Sequence, residues 1–590
     1  MRHIYSIIGC CVVAVFLLYH RASHPGFGSV KPLNVTAWDA FGYYMYLPSI
    51  FIYHDMTDLE WLPEADSTYV LTGGTLYQAN RKDNGNYVFK YLGGVSIMQM
   101  PLFFIGHLIA LNTSFKADGF SPPYQYAIAF GAVIYCILAL FLLRRLLRRY
   151  FSDLSVAVSI LLVVLATNLP QYIAVDGGMS HAYIFPLYVI VLYTTMRWHE
   201  TPRILWASLT GLTIGLATIS RPTEVIMLFI PLLWNTHNRK ASRAKWEQVK
   251  QYRTHLYFTI LFGLLGVLPQ LLYWKIASGS FFFNPGSKWS FLDPFFRVLF
   301  GWESGWFIYT PVTIFFITGF FFIRKHPFQR SVIVFCFLNI WIIISWFDWK
   351  YGATYSTRAL VQSYPVFALP FTAFIDWIRR KKWSYLFYLL GVFLIFLNLF
   401  QLKQFYTTVL HHRDMTRQYY GRIFLNRHPT PLDVSLMDTR EFLKKEDEYR
   451  PVEIYSADSV ILVSGTNGYP GVIADFAILQ DGELWDHGDF WLRITADIKV
   501  QTGFLESHLT GRVYTADTSK YTSIRLANPI TMNGSSNTYE FYLLIPGFPG
   551  EMRFNLQVTT TSKFEGTVEN VRVVRLSKKE PASCRIRQRS

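Results

Sequence analysis

Charge is scarce in this chain of 590 residues: Asp, Glu, Lys and Arg make up 16% of it, against 52% hydrophobic and 18% aromatic residues, with a mean hydropathy of +0.23. That balance excludes a disordered protein and argues against a wholly soluble one, because so much apolar surface needs lipid to cover it. Cysteine is also scarce. The five are Cys10, Cys11, Cys136, Cys336 and Cys584, and four fall in apolar segments, so no disulfide framework holds the chain together. P-loop, HExxH, CxxC and Gly-x-Ser-x-Gly patterns are missing, which removes the usual residues of nucleotide-driven pumping and of hydrolase chemistry. Apolar runs of spanning length are missing after Phe400, so the chain has two parts.

What is present before Phe400 reads as a polytopic α-helical membrane domain of about eleven spans. They are Ile4–Tyr19, Tyr124–Leu143, Ser155–Tyr172, Tyr183–Met196, Ile204–Ile219, Val225–Trp234, Leu256–Trp274, Phe307–Ile323, Val332–Trp346, Ala359–Ile375 and Tyr385–Gln401. Orientation follows from the basic loops, since cytoplasmic loops retain Lys and Arg. Arg144, Arg145, Arg148 and Arg149, then Arg197 and Arg203, then Arg239 to Arg253, then Arg324, Lys325 and Arg330, then Arg379 to Lys382 all follow even-numbered spans. The N-terminus is therefore expected in the cytoplasm of a multi-pass plasma (inner) membrane protein, with everything beyond Gln401 on the outer, periplasmic side. The formal net charge of +16 is then largely topological, and nucleic acid is not an expected partner. Met1–His20 also fits a short signal peptide, and either way residue 21 begins outside.

Val95–Leu111 is apolar enough to span, but counting it would put Arg144–Arg149 outside; it reads as a re-entrant or interfacial helix with Lys90 and His107 at its polar edges. The expected domains are 1–410, including a long outer loop 21–123, a linker 411–450, an exported β-sandwich 451–578 and a basic tail 579–590. The sandwich follows from alternation: Leu492, Ile494, Ala496, Ile498 and Val500 share one face, as do Met552, Phe554, Leu556 and Val558, and Tyr539, Phe541 and Leu543. Trp485 and Trp491 are candidate glycan contacts, with core packing the better reading of Trp491.

Polar residues at the outer ends of the spans carry the chemistry, because charge beside hydrocarbon is costly. Asp39, in Trp38-Asp39-Ala40-Phe41-Gly42-Tyr43-Tyr44, reads either as a helix N-cap or as a general base taking a proton from an acceptor hydroxyl. Lys90, before Tyr91-Leu92-Gly93-Gly94, suits a phosphate at the bilayer surface, or ordinary snorkelling. His181 opens the fourth span, and Arg221 and Glu224 either pair with one another or face a substrate. Arg358 presents a planar fork for a phosphate after the aromatic stretch holding Asp348, and Lys288 is a weaker candidate of the same kind.

With these segments in order, residues 1–400 resemble the GT-C superfamily of integral-membrane glycosyltransferases. The resemblance rests on Trp38 to Tyr44 after the first span, Phe89-Lys90-Tyr91-Leu92-Gly93-Gly94 running to Met100-Pro101, Gly211 to Pro222, Gly301 to Pro311, and Trp349 to Arg358. It implies transfer of a hexose or pentose from a polyprenyl-phosphate-linked donor to an acceptor glycan, glycolipid or protein at the outer face. Asp39 then takes the catalytic position, Lys90 and Arg358 the donor phosphate, and Tyr43, Tyr44, His181, Arg221, Glu224, Lys288 and Asp348 are substrate-site candidates. Relatives carry paired acidic residues where this chain offers Asp39, so no cofactor or metal site is assigned and divalent metal stays open. The alternative is a transporter or flippase of lipid-linked glycans; the lack of an internal repeat and the gathering of charges at one face weigh against it.

Overall fold

A computed structural model describes residues 3–24, 33–284, 286–478, 489–547 and 551–579. The chain divides into two compact units, Met1–Leu402 and Lys403–Ser590. The first is a polytopic helical bundle. Among the described residues five helices are long and apolar enough to cross a membrane: Ile4–Ser23, Gly94–Leu111, Pro122–Leu147, Arg253–Ser278 and Ser384–Tyr406. Shorter helices, among them Asp153–Leu165, Ser180–Glu200, Ile204–Thr218, Gln329–Ile344 and Tyr364–Ile378, fall on the remaining apolar runs. The eighth run is broken into Trp306–Tyr309, Pro311–Thr313, Ile314–Thr318 and Gly319–Phe322, because Pro311 has no N–H to donate to the preceding turn. Ile204–Thr218 and Arg253–Ser278 cross with backbones touching: a Cβ on Gly211 would lie 2.0 Å from the Thr259 carbonyl oxygen.

The basic segments gather at one end of this bundle. Arg148 pairs with Asp153 at 3.3 Å, Arg149 with Glu200 at 2.6 Å, and Asp376 holds both Arg380 and the Ser152 hydroxyl. The Trp198 indole donates to His255, the Asn235 N–H to the Pro327 carbonyl, and His326 packs on Phe151. All five clusters that even-numbered spans precede are thus represented in one layer. The Gly94–Leu111 helix has both its ends at the other end of the bundle. Gly94 N–H donates to Ile219 O at 2.9 Å, beyond the last turn of Ile204–Thr218, while His107 meets Tyr124, in the first turn of Pro122–Leu147, at 2.5 Å. Between those ends Leu102 packs on Gly131 and the Met98 carbonyl accepts from the Tyr135 hydroxyl at 3.0 Å, so the helix runs antiparallel along the first half of Pro122–Leu147.

The second unit carries two antiparallel sheets. Its strands follow a short hairpin of the first unit, β1 (Ala79–Arg81) and β2 (Tyr87–Phe89), and are β3 (Tyr449–Ala457), β4 (Ile461–Thr466), β5 (Gly471–Ile478), β6 (Phe490–Thr502), β7 (Ser507–Tyr514), β8 (Ser519–Arg525), β9 (Ser536–Ile545), β10 (Met552–Thr560) and β11 (Lys563–Lys578). One sheet runs β5-β10-β7-β8; the other runs β3-β11-β6-β9, with β4 also on β11. The alternating residues Leu492, Ile494, Ala496, Ile498 and Val500 are buried together with Phe541, Leu543, Phe554 and Leu556 in one core. Trp491 points away from that core. It is half-buried against Tyr542 beside Leu443, since period-two alternation puts it on the face opposite Leu492. Trp485 and Cys584 lie outside the described residues.

The segment 411–450, expected as a linker, is built onto this unit. Arg525 pairs with Asp438 at 2.6 Å and with Asp414 at 2.9 Å, Leu544 N–H donates to Glu441, and the Tyr542 hydroxyl to Glu446. Composition alone suggested a linker because its charges look like solvated ones; their partners sit on strands about a hundred positions away.

Candidate functional site

A cavity of about 790 Å³ opens at the end of the bundle remote from the basic layer. Every connection between spans assigned to the outer side contributes to its wall, the one just before Ser180 through Met179. Seven of the ten sequence-derived candidates line it: Asp39, Tyr43, Lys90, Arg221, Glu224, Asp348 and Arg358.

Asp39 is the first residue of the helix Asp39–Tyr44, whose N-cap is Trp38, so the N-cap reading of Asp39 fails. Its carboxylate instead reaches across the site. Oδ2 accepts from Arg358 Nη2 at 2.9 Å; Oδ1 accepts from the hydroxyls of Tyr77 at 2.9 Å and Tyr91 at 2.6 Å. The hairpin explains the tyrosine pair. β1 and β2 pair Ala79 with Phe89, and continuing that register outward sets Gln78 opposite Lys90 and Tyr77 opposite Tyr91. The Lys90 N–H donates to the Gln78 carbonyl at 2.8 Å, extending the ladder by one step. Gly42 makes room: a Cβ there would lie 2.1 Å from the Tyr91 ring, so only glycine lets that ring pass over the helix to Asp39.

Burial by itself would raise the Asp39 carboxyl, but the Arg358 charge and the hydrogen bonds from Tyr91, Tyr77 and Arg358 outweigh it and hold the group below the usual carboxylate range. It is a carboxylate at neutral pH. The same carboxylate, after burial, pushes the Tyr77 and Tyr91 hydroxyls up, so both stay neutral donors. Arg358 opens the turn Arg358–Ser363 leading into Tyr364–Ile378. Its backbone is pinned from several sides: Asn168 Nδ2 donates to the carbonyls of Tyr355 and Thr357, and the Tyr172 hydroxyl takes the Tyr355 N–H.

Lys90 and Arg221 face the same cavity, and neither has an ion pair among the described residues. The Lys90 ammonium lies 5.9 Å from the ring centroids of both Tyr77 and Tyr91. Arg221 and Glu224 do not pair with one another. Glu224, 2% exposed, is held by the Tyr188 hydroxyl and by Gln362 Nε2 at 3.2 Å, and Gln362 Oε1 in turn meets His181 Nδ1 at 2.7 Å. The turn between the two spans points the Arg221 and Glu224 side chains to different neighbours, which adjacency in sequence does not reveal.

Three candidates lie off the cavity wall. Tyr44 is core, its hydroxyl donating to Gly119 O at 2.5 Å. His181 is fully buried behind Gln362 and against Tyr172. Lys288 is exposed, with its backbone carbonyl paired to Phe347 while its neighbours Ser287 and Trp289 reach the wall. Sequence reasoning missed Tyr77, Gln362, Asn339 and Asp176. Tyr77 was recoverable from the Asn84-Gly85 turn, which fixes the hairpin register. Asp176 accepts from Gln171 at 3.0 Å; burial raises its carboxyl above the usual range against the pull of Gln171, Arg358 and Arg21, and Asp39 adds to the rise, so it is a second carboxyl group within electrostatic reach of Asp39. Among the described residues no three His, Cys, Asp or Glu side chains converge as metal ligands.

No family model matches the sequence. No curated protein matches it by sequence either. Solved structures similar to the chain include the apo crystal structure of ArnT from Cupriavidus metallidurans, at 12% identity and a TM-score of 0.42 over 71% of this chain and 68% of that one. The apo oligosaccharyltransferase of Archaeoglobus fulgidus gives 13% identity and a TM-score of 0.42, over 72% of this chain and 58% of that one. The arabinosyltransferase EmbB of Mycobacterium smegmatis gives 11% identity and a TM-score of 0.30, over 76% and 57%.

Proposed function

We propose that the protein is a membrane glycosyltransferase that moves a sugar from a polyprenyl-phosphate-linked donor to a hydroxyl of an acceptor glycan, glycolipid or protein, on the outer side of the membrane. The observation that carries this reading is the cavity wall itself: an ionised Asp39 shares it with Lys90 and Arg221, two cations that have no ion pair among the described residues, at one end of an apolar bundle. A lipid-borne phosphate is an anion whose tail needs hydrocarbon and whose head needs cations, and this end of the bundle offers both.

In the step that follows, the acceptor oxygen attacks the anomeric carbon while its proton passes to Asp39. The bond from that carbon to the phosphate oxygen breaks, its electron pair stays on the phosphate, and polyprenyl phosphate leaves. The leaving phosphate gains charge as the bond breaks, so Lys90, Arg221 and Arg358 stabilise the transition state more than the ground state. Tyr43 and Asp348 are wall residues within the space left for sugar and acceptor. Transport fits less well, because the ionisable residues of the cavity belong to one end of the bundle.

The reading is tested with the full chain in nanodiscs by separating binding from turnover. Lys90→Ala weakens binding of a polyprenyl-phosphate sugar, whereas Asp39→Asn leaves donor bound and stops its consumption. Equal and unimpaired binding and consumption in both variants would remove the assignment.

A further inference from the structure

Both oxygens of Asp39 are engaged in the resting site. Oδ1 has two hydrogen bonds, from Tyr77 and Tyr91, which fill the lone-pair positions of one carboxylate oxygen. Proton uptake is left to Oδ2, and that oxygen faces Arg358 at 2.9 Å. The guanidinium for its part is only partly used: one nitrogen meets Asp39, while Nε is buried with no partner. Lys90 and Arg221 line the same cavity unpaired among the described residues. The site thus holds three cations around a single one-oxygen contact to a carboxylate.

We propose that Asp39 occupies the anion position of its own substrate site, and that the donor's phosphate displaces it from Arg358, so that the proton acceptor is freed only when donor is bound. The inference rests on the reading of the cavity as a polyprenyl-phosphate-sugar site. The donor phosphate carries two unesterified oxygens, which match the fork of a guanidinium, whereas Asp39 offers Arg358 only Oδ2. Phosphate also gains Lys90 and Arg221, which Asp39 does not reach. Displacement leaves Asp39 anchored by Tyr77 and Tyr91, so the carboxylate loses its cation without losing its position. With Arg358 drawn to the phosphate, burial and the phosphate's own charge raise the proton affinity of Asp39, while the hydrogen bonds from Tyr91 and Tyr77 lower it. Premature proton uptake in the empty enzyme is suppressed by the same contact that the substrate removes.

The direct test is the structure of the full chain in nanodiscs with undecaprenyl phosphate. The expected result has Arg358 on the phosphate and its distance to Asp39 opened beyond the range of a salt bridge. Phosphate in the cavity with the Arg358–Asp39 contact intact overturns the inference and leaves the functional reading standing. If undecaprenyl phosphate does not enter the cavity at all, both fall. A parallel sample with inorganic phosphate alone at the same concentration is expected to keep the pair closed; opening there overturns the assignment to a lipid-borne anion. Kinetics supply a second readout. The acid limb of kcat/KM reports free enzyme and that of kcat reports the bound complex, so the kcat limb is expected about one pH unit or more above the other. Coincident limbs overturn the inference. Arg358→Gln is expected to raise the kcat/KM limb towards the position of the kcat limb.

Discussion

Replacing Asp39 by Asn changes the proposed proton acceptor while keeping its shape. Asn can still accept at one oxygen from Tyr77 and Tyr91, so the hairpin and the Asp39–Tyr44 helix stay docked. Its amide nitrogen then faces Arg358, donor against donor, and the guanidinium loses its one ion pair among the described residues, in a site where its side chain is 15% exposed. Unpairing a group of this kind costs about 1–3 kcal/mol, enough to lower the thermal midpoint without unfolding the protein. Turnover falls further than that, by about 10²–10⁴, because the amide cannot take the acceptor's proton. The assay is transfer of labelled sugar from a polyprenyl-phosphate donor by purified protein in nanodiscs, with melting followed in the same sample. Near-normal transfer by a folded Asp39→Asn protein would refute the catalytic role and with it the mechanism built on the carboxylate.

Lys90→Ala removes a charge-assisted contact worth about 1.5–3 kcal/mol, so the donor Kd should rise by about ten- to a hundredfold in a binding titration, with melting unchanged because the exposed ammonium has no ion pair. Gly42→Ala should drive the Tyr91 ring off Asp39 and lower turnover with a folded bundle; unchanged kinetics would show that the Tyr91 contact is dispensable. For pH, the Asp39 carboxyl is depressed in the folded state, so its ionised form and the stability it confers are present at neutral pH and are lost as pH falls through its folded value; the acid limb of kcat/KM should sit below the usual carboxylate range of about 4. A fragment covering 411–579 should give a cooperative β-type circular-dichroism melt, while 451–578 should melt lower, having lost Asp414, Asp438, Glu441 and Glu446; equal melts would make those contacts idle. A reporter active only in the cytoplasm, fused after Lys579, should be silent, and strong activity would reverse the membrane orientation.

Hydrocarbon and water impose simple demands, and what they impose was legible. Apolar runs fell on helices, the five basic clusters fell in one layer, and strand alternation placed Leu492 to Val500 in a core, because each follows from local composition. The composition of Val95–Leu111 matches a span, and its reading as a re-entrant or interfacial helix rests on the charge of its neighbours alone. Side-chain pairing was not legible. Asp39 meets Arg358 across 319 positions, and Glu224 turns to Tyr188 and Gln362 instead of the adjacent Arg221, choices fixed by how loops close over the bundle end. Arg358 was read as a ready phosphate fork, and it is found already holding a carboxylate. The segment 411–450 failed for the same reason, its charges being partners of strands far along the chain.

The central claim is chemical, that the cavity cleaves a bond between a sugar and a lipid phosphate. Purified protein in nanodiscs is given polyprenyl-phosphate hexose or pentose donors together with acceptor-containing membrane extract, and the lipid products are followed by mass spectrometry. The account predicts conversion of a donor to free polyprenyl phosphate, with the sugar mass appearing on an acceptor and both signals lost in Asp39→Asn. Donor that crosses the bilayer yet keeps its sugar, in wild type and Asp39→Asn alike, would contradict it.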